Sequence, residues 1–227
     1  MLTWLAILSL ALAFASAAII AADELRHPQK MWIMNIVWPV TALYLSVIAV
    51  WWYFRAGRPM AKDAPAMGMK MGGDDRTPPN LAQIALATSH CAAGCVLADI
   101  VLEFSIFWLG LTIAGSPLFA SYALDFVGAW SLGIVFQYFT IKPMRNLSPA
   151  EGLKAAIRAD TFSILAFQVG MYAWMAVVYY WLFPAPHLKP TEAFYWLMMQ
   201  VAMICGFLTS LPMNRLLVSI GWKEKMG

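Results

Sequence analysis

One segment near the middle of the chain places chemically active side chains in a sequence apolar enough to lie in a membrane. Residues 89–99 read SHCAAGCVLAD and contain His90, Cys91, Cys95 and Asp99. At about 100° per residue, Cys91, Cys95 and Asp99 fall within an arc of roughly 80° on one helix face. Two thiols one turn apart beside an imidazole are soft ligands that favour Cu(I) or zinc. Ionisable groups in lipid cost free energy and usually serve a function, so we predict a metal site at these residues.

Methionines extend this predicted site in two directions. A Gly- and Pro-containing loop carries thioethers at alternating positions, and two later apolar segments carry them at helical spacing. Thioether sulfur also favours Cu(I), which is therefore the expected metal. The predicted metal ligands are His90, Cys91, Cys95, Asp99, Met67, Met69, Met71, Met171, Met199 and Met203.

The same residues fit other functions. A free cysteine is a common small buried side chain, and methionine stripes often serve helix packing, as in a non-catalytic subunit of a larger membrane complex. Cys91 and Cys95 also suit a thiol–disulfide or quinone-linked redox enzyme. A disulfide between them would be strained in a regular helix, so that function requires the helix to break at Gly94. The sequence contains no hydrolase or nucleotide-binding motif.

The composition is that of an integral membrane protein. Of the 227 residues, 62% are hydrophobic and 12% are charged, and the mean hydropathy is +0.68. We predict a single all-α domain, a polytopic membrane helix bundle of about six transmembrane helices, with a Met-rich cytoplasmic loop at 56–80. The predicted spans are 2–22, 31–54, 81–114, 118–141, 160–183 and 194–220, with a surface helix at 147–159.

The basic residues indicate orientation. With six spans, twelve of the 15 Lys and Arg residues fall on the side that carries both termini. Positive charge concentrates in cytoplasmic loops, so both termini are predicted to be cytoplasmic. The basic residues lie between apolar spans rather than in one patch, and we therefore expect no nucleic-acid partner. The expected partners are the lipid bilayer, a metal ion and a membrane complex or metallochaperone.

Three motifs connect the chain with a known family. They are SHCxxGCxxxD at 89–99, GIxFQYFTIxPMR at 133–145 and MMQxAMxxGFLTSxPxN at 198–214. The chain thereby resembles a family of bacterial multi-pass membrane proteins of unknown function. The resemblance implies the inner membrane as location and a shared fold, with Gln137 and Arg145 joining the 89–99 residues as characteristic positions. It implies no activity, so the residues themselves favour binding or transport of Cu(I) over an enzymatic role.

Overall fold

The computed structural model describes residues 2–58 and 80–223, and the protein is all-α. The predicted ligands Met67, Met69 and Met71, with most of the predicted loop 56–80, lie outside the described residues. The helices are α1 (Leu2–Arg26), α2 (Met34–Leu45), α3 (Val47–Trp52), α4 (Leu81–Leu109), α5 (Pro117–Arg145), α6 (Pro149–Val177) and α7 (Ala193–Ser219). Single π-helical turns extend α3 through Tyr53–Gly57 and α6 through Val178–Leu182.

Local sequence signals explain where the long helices begin and end. Both α4 and α6 start with a capping box, formed by Asn80 with Gln83 and by Ser148 with Glu151. Helix α4 ends at Gly110, which adopts a left-handed φ of 62°. The predicted surface helix 147–159 and the span that follows it are one helix, because nothing after the Ser148 cap interrupts the backbone hydrogen bonds.

The segment 31–54, predicted as one span, is a helical hairpin. Ser46 has φ 51° and ψ −128°, which ends α2 and starts α3 in a new direction. Trp38 of α2 packs edge-on against Trp52 and Tyr53, with ring centroids 5.0 and 5.5 Å apart. The two arms of the hairpin therefore lie side by side.

Both ends of the hairpin lie at the same end of α1. The backbone N–H of Gln29 donates to Asn35 Oδ1 at 2.9 Å, while Gln29 Nε2 donates to the carbonyl of Gly57 at 3.0 Å. Asp23 accepts hydrogen bonds from Tyr53 Oη at 2.9 Å and from Arg58 Nη2 at 2.8 Å. A straight helix over 31–54 would separate these ends by about 36 Å. The hairpin therefore enters and leaves the bundle on one side.

Five helices in the described residues are long and apolar enough to cross a membrane, rather than the six predicted: α1, α4, α5, α6 and α7. Helices α4 to α7 pack as antiparallel neighbours, and contacts between α4 and α7 close the bundle. Helix α1 lies against α7, and α2 reaches between α1, α4 and α7. The tip of the hairpin thus lies beside the bundle core.

An odd number of crossings predicts that the two ends of the described chain lie on opposite sides of the membrane. Reporter domains fused before Leu2 and after Gly227 should therefore report opposite compartments. Fusions near Gly72 and after Gly227 should report the same one and serve as the internal control. If both terminal fusions report the cytoplasm, residues 31–57 cross the membrane and the hairpin is wrong.

Candidate functional site

A stripe of four polar side chains follows one face of α4 at intervals of one turn: Cys91, Cys95, Asp99 and Glu103. All four are buried. Twelve residues of helix rise about 18 Å, which is more than half the thickness of a typical hydrocarbon core of about 30 Å. The thiols of Cys91 and Cys95 lie beside each other, and both oxygens of Asp99 lack a hydrogen-bond partner among the described residues. Glu103 extends the predicted site by one turn.

Around Cys91, the other helices contribute a second group of buried polar side chains. Ser163 of α6 lies beside the Cys91 thiol and donates a hydrogen bond to Asn214 Oδ1 of α7 at 2.9 Å. Asp160, one turn before Ser163, is fully buried and interacts electrostatically with Cys91. The Cys91 end of the stripe, which we call the inner end, is thus enclosed by α4, α6 and α7.

Lys223, which follows the end of α7, is a further member of this group of buried polar side chains around Cys91. Its Nζ donates to Asn214 Oδ1 at 2.6 Å and to Ser163 Oγ at 3.1 Å, and the residue is only 1% exposed. Burial lowers the pKa of Lys223, and the neighbouring Cys91, Asp160 and Cys95 counteract part of that shift. It is the one Lys or Arg residue buried in the described part of the chain.

Two glycines allow the helices to approach closely at this level. A Cβ on Gly94 of α4 would lie 3.0 Å from the backbone nitrogen of Gly133 in α5. A Cβ on Gly133 would overlap Oδ2 of Asp160. The Asp160 side chain therefore occupies the space that a side chain at position 133 would fill. Both oxygens of Asp160 lack a hydrogen-bond partner among the described residues.

The Glu103 end of the stripe, which we call the outer end, reaches a cavity of about 390 Å³ beside the α4–α5 and α6–α7 connections. Glu103 and Asp125 face this cavity and lie beside each other, and Ser121 donates to Glu103 Oε2 at 3.1 Å. Neighbouring carboxyl groups of this kind can exchange protons. Three methionines also line the cavity: Met171, Met175 and Met199.

Not every predicted ligand joins this arrangement. His90 is buried on a face about 100° from Cys91, and its Nδ1 lies 3.1 Å from the carbonyl oxygen of Leu86. Met203 is buried in the core but does not line the cavity. In residues 2–58 and 80–223, no three His, Cys, Asp or Glu side chains form a group that could hold a metal ion. The predicted four-residue site is therefore not a closed metal cage.

The motif residues Gln137 and Arg145 differ in burial. Gln137 is fully buried, and its amide atoms lack hydrogen-bond partners among the described residues. It lies one turn beyond Gly133, as His90 lies one turn before Gly94, so the antiparallel crossing brings the two residues to one level. Arg145 is exposed and donates to the carbonyl of Gly221 at 2.9 Å.

The residues that sequence reasoning missed are Glu103 and Lys223. The spacing of four residues from Asp99 to Glu103 was visible in the sequence. Lys223 had no such signal, because a basic residue after an apolar helix is typical of a cytoplasmic tail.

These features define a multi-spanning helical membrane protein with a buried polar path through its bundle. The chain belongs to the family described as "Domain of unknown function (DUF4396)", whose model matches residues 81–223. No curated protein and no solved structure matches the chain. The match begins at α4 and ends at Lys223, so it contains both ends of the polar path.

Substituting Gly133 by Ala should displace Asp160 and destabilise the protein by about 1–3 kcal/mol, because the added methyl overlaps a buried carboxylate. The measurement is the thermal unfolding midpoint of the detergent-solubilised protein. Gly152→Ala is the matched control, since its Cβ would lie 3.1 Å from Lys142 Cβ, a tight contact without the overlap found at Gly133. Equal midpoints for the two variants would contradict the close approach at Gly133.

Proposed function

We propose that this protein transports a soft monovalent metal ion, Cu(I), across the bacterial inner membrane along the α4 stripe. The observation that carries the proposal is the pairing of two buried thiols with buried carboxyl groups in one continuous line. Buried ionisable groups in membrane helices characteristically mark ion or proton paths. Thiolate sulfur selects Cu(I) over hard cations.

Two ligands are sufficient for Cu(I), which is stable with two sulfur atoms. Cys91 and Cys95 lie beside each other on successive turns. Zinc normally takes four ligands, or three and a water, and the described residues offer no group of three. These observations support Cu(I) rather than zinc as the proposed ion, and we propose Cys91 and Cys95 as its central ligands.

The outer cavity fits the role of an entrance or exit for such an ion. Its thioethers from Met171, Met175 and Met199 are soft ligands, and its carboxyl groups from Glu103 and Asp125 are negatively charged or proton-bearing. Metal binding to thiols releases protons. Asp99 lies between the thiols and the cavity and is the next proton acceptor along the stripe. Proton movement through Asp99 would accompany ion transport.

The charge distribution supports an orientation for this path. With five crossings and a hairpin, ten of the eleven Lys and Arg residues in the described part of the chain lie on one side of the bundle, and Lys189 is the exception. We propose that this basic side is cytoplasmic, that the Leu2 end of α1 is external, and that the cavity opens outward. Met67, Met69 and Met71 would then lie on the cytoplasmic side, where a metallochaperone could exchange the ion.

A thiol–disulfide enzyme is less consistent with this geometry. Helix α4 continues through Gly94 without a break. Two cysteines on successive turns of a regular helix cannot reach unstrained disulfide geometry. Both thiols are also fully buried.

Replacing Cys91 or Cys95 by Ser should weaken Cu(I) binding at least about tenfold, or 1.4 kcal/mol, because a hydroxyl replaces a soft ligand of similar size. Binding is measured on the purified protein by competition with a chromogenic Cu(I) chelator. Cys205→Ser is the matched control, since Cys205 is a half-buried thiol on α7 outside the stripe.

Asp99→Asn should retain Cu(I) binding and slow copper-driven proton movement in proteoliposomes, because the amide does not accept a proton. If the Cys91→Ser/Cys95→Ser double variant is equally folded and binds Cu(I) as tightly as the wild type, the transport proposal is wrong.

A further inference from the structure

We propose that Lys223 is a tethered cation that occupies and closes the cytoplasmic end of the polar path. The inference rests on the proposed function for the identity of the path. The closure itself follows from the position of the side chain. Lys223 lies beyond the last membrane helix, yet its ammonium group lies in the bundle core between α6 and α7.

The ligands of the Lys223 ammonium are those that a small cation would use. Ser163 and Asn214 supply neutral oxygen atoms at 3.1 and 2.6 Å, and Asp160 supplies a nearby carboxyl group. Cys91 and Cys95 also interact electrostatically with the ammonium. A positive charge at this position repels any second cation, and the repulsion is strong where water is excluded. Lys223 and an ion leaving Cys91 toward the cytoplasm therefore compete for one place.

The segment that carries Lys223 is a short turn with its own contacts. Gly221 has a φ of 71°, which reverses the chain after α7, and the backbone N–H groups of Trp222 and Lys223 donate to the Leu217 carbonyl at 2.9 and 3.1 Å. The Trp222 ring lies 3.5 Å from the Arg158 guanidinium. Ile220 and Gly221 of this turn are exposed, so a movement of the turn is the route by which Lys223 would withdraw.

The closure is tested by the access of Cys91 to a membrane-impermeant maleimide added from the cytoplasmic side of inverted vesicles. A Cys95→Ser/Cys205→Ser background leaves Cys91 as the one cysteine of the chain. In the presence of Lys223, Cys91 should label slowly. Lys223→Ala should label Cys91 at least about tenfold faster, because access limits the reaction of a fully buried thiol. Lys223→Arg, which keeps the positive charge, should remain slow.

A control distinguishes opening from unfolding. Ala202 lies in the hydrophobic core of α7 and is fully buried. In a background in which Cys91, Cys95 and Cys205 are all replaced by Ser, a cysteine at this position should label slowly in both the Lys223 and the Lys223→Ala proteins. If the Ala202→Cys reporter also becomes reactive in Lys223→Ala, the lysine only holds the fold together and the proposal is overturned.

Unchanged labelling of Cys91 in Lys223→Ala would also overturn the proposal. The labelling requires no copper, so its outcome is independent of the transport proposal. Copper binding that is unaffected by Cys91→Ser would reject Cu(I) as the transported ion. The rates of maleimide labelling alone would then decide whether Lys223 closes the path.

Discussion

The close approach of α4, α5 and α6 at Gly94 and Gly133 is the constraint on which the polar core depends. A Cβ at Gly133 would take the place of the Asp160 carboxyl group, and a Cβ at Gly94 would press on the α5 backbone. Small residues permit this packing in membrane proteins, where lipid gives helices no hydrophobic reason to associate. Because Asp160 fits there, a carboxyl group lies near both Cys91 and Lys223. The geometry of the polar site therefore depends on glycine, which has no side chain, at positions 94 and 133.

The hairpin of α2 and α3 depends on the same core. A helix that breaks inside a membrane leaves backbone groups that need partners, so such breaks occur only where protein or water surrounds them. Here Tyr44, two residues before Ser46, is buried close to Ser89 and interacts electrostatically with Cys91 and Cys95. Gln200 of α7 donates to the carbonyl of Leu43 at 2.8 Å, which satisfies one group near the break. The hairpin tip thus covers the thiols on one side.

Sequence reasoning predicted the membrane class, the all-α fold and the α4 face that carries Cys91, Cys95 and Asp99. It did not predict the hairpin. Residues 31–54 are as apolar and as long as a true span, and hydropathy does not indicate where a helical segment reverses direction. The break at Ser46 is decided by packing between Trp38 and the returning arm. Lys223 was equally hidden, since only the tertiary fold brings a residue beyond α7 next to Ser163. Periodicity predicts which residues share one face of a single helix, whereas the site is formed by side chains from several helices.

The two ends of the polar path differ, because one reaches a cavity and the other is closed by buried side chains. At the outer end, Glu103 and Asp125 line a cavity beside the connecting loops. At the inner end, Lys223 fills the space between Ser163 and Asn214 and leaves the thiols fully buried. A carrier must never be open at both ends, because a continuous path would dissipate the ion gradient. If the chain transports an ion as proposed, this arrangement corresponds to one of the two conformations that alternating access requires. The reverse conformation would then need Lys223 to withdraw and the cavity beside Glu103 to close, and the stripe on α4 would be the element common to both.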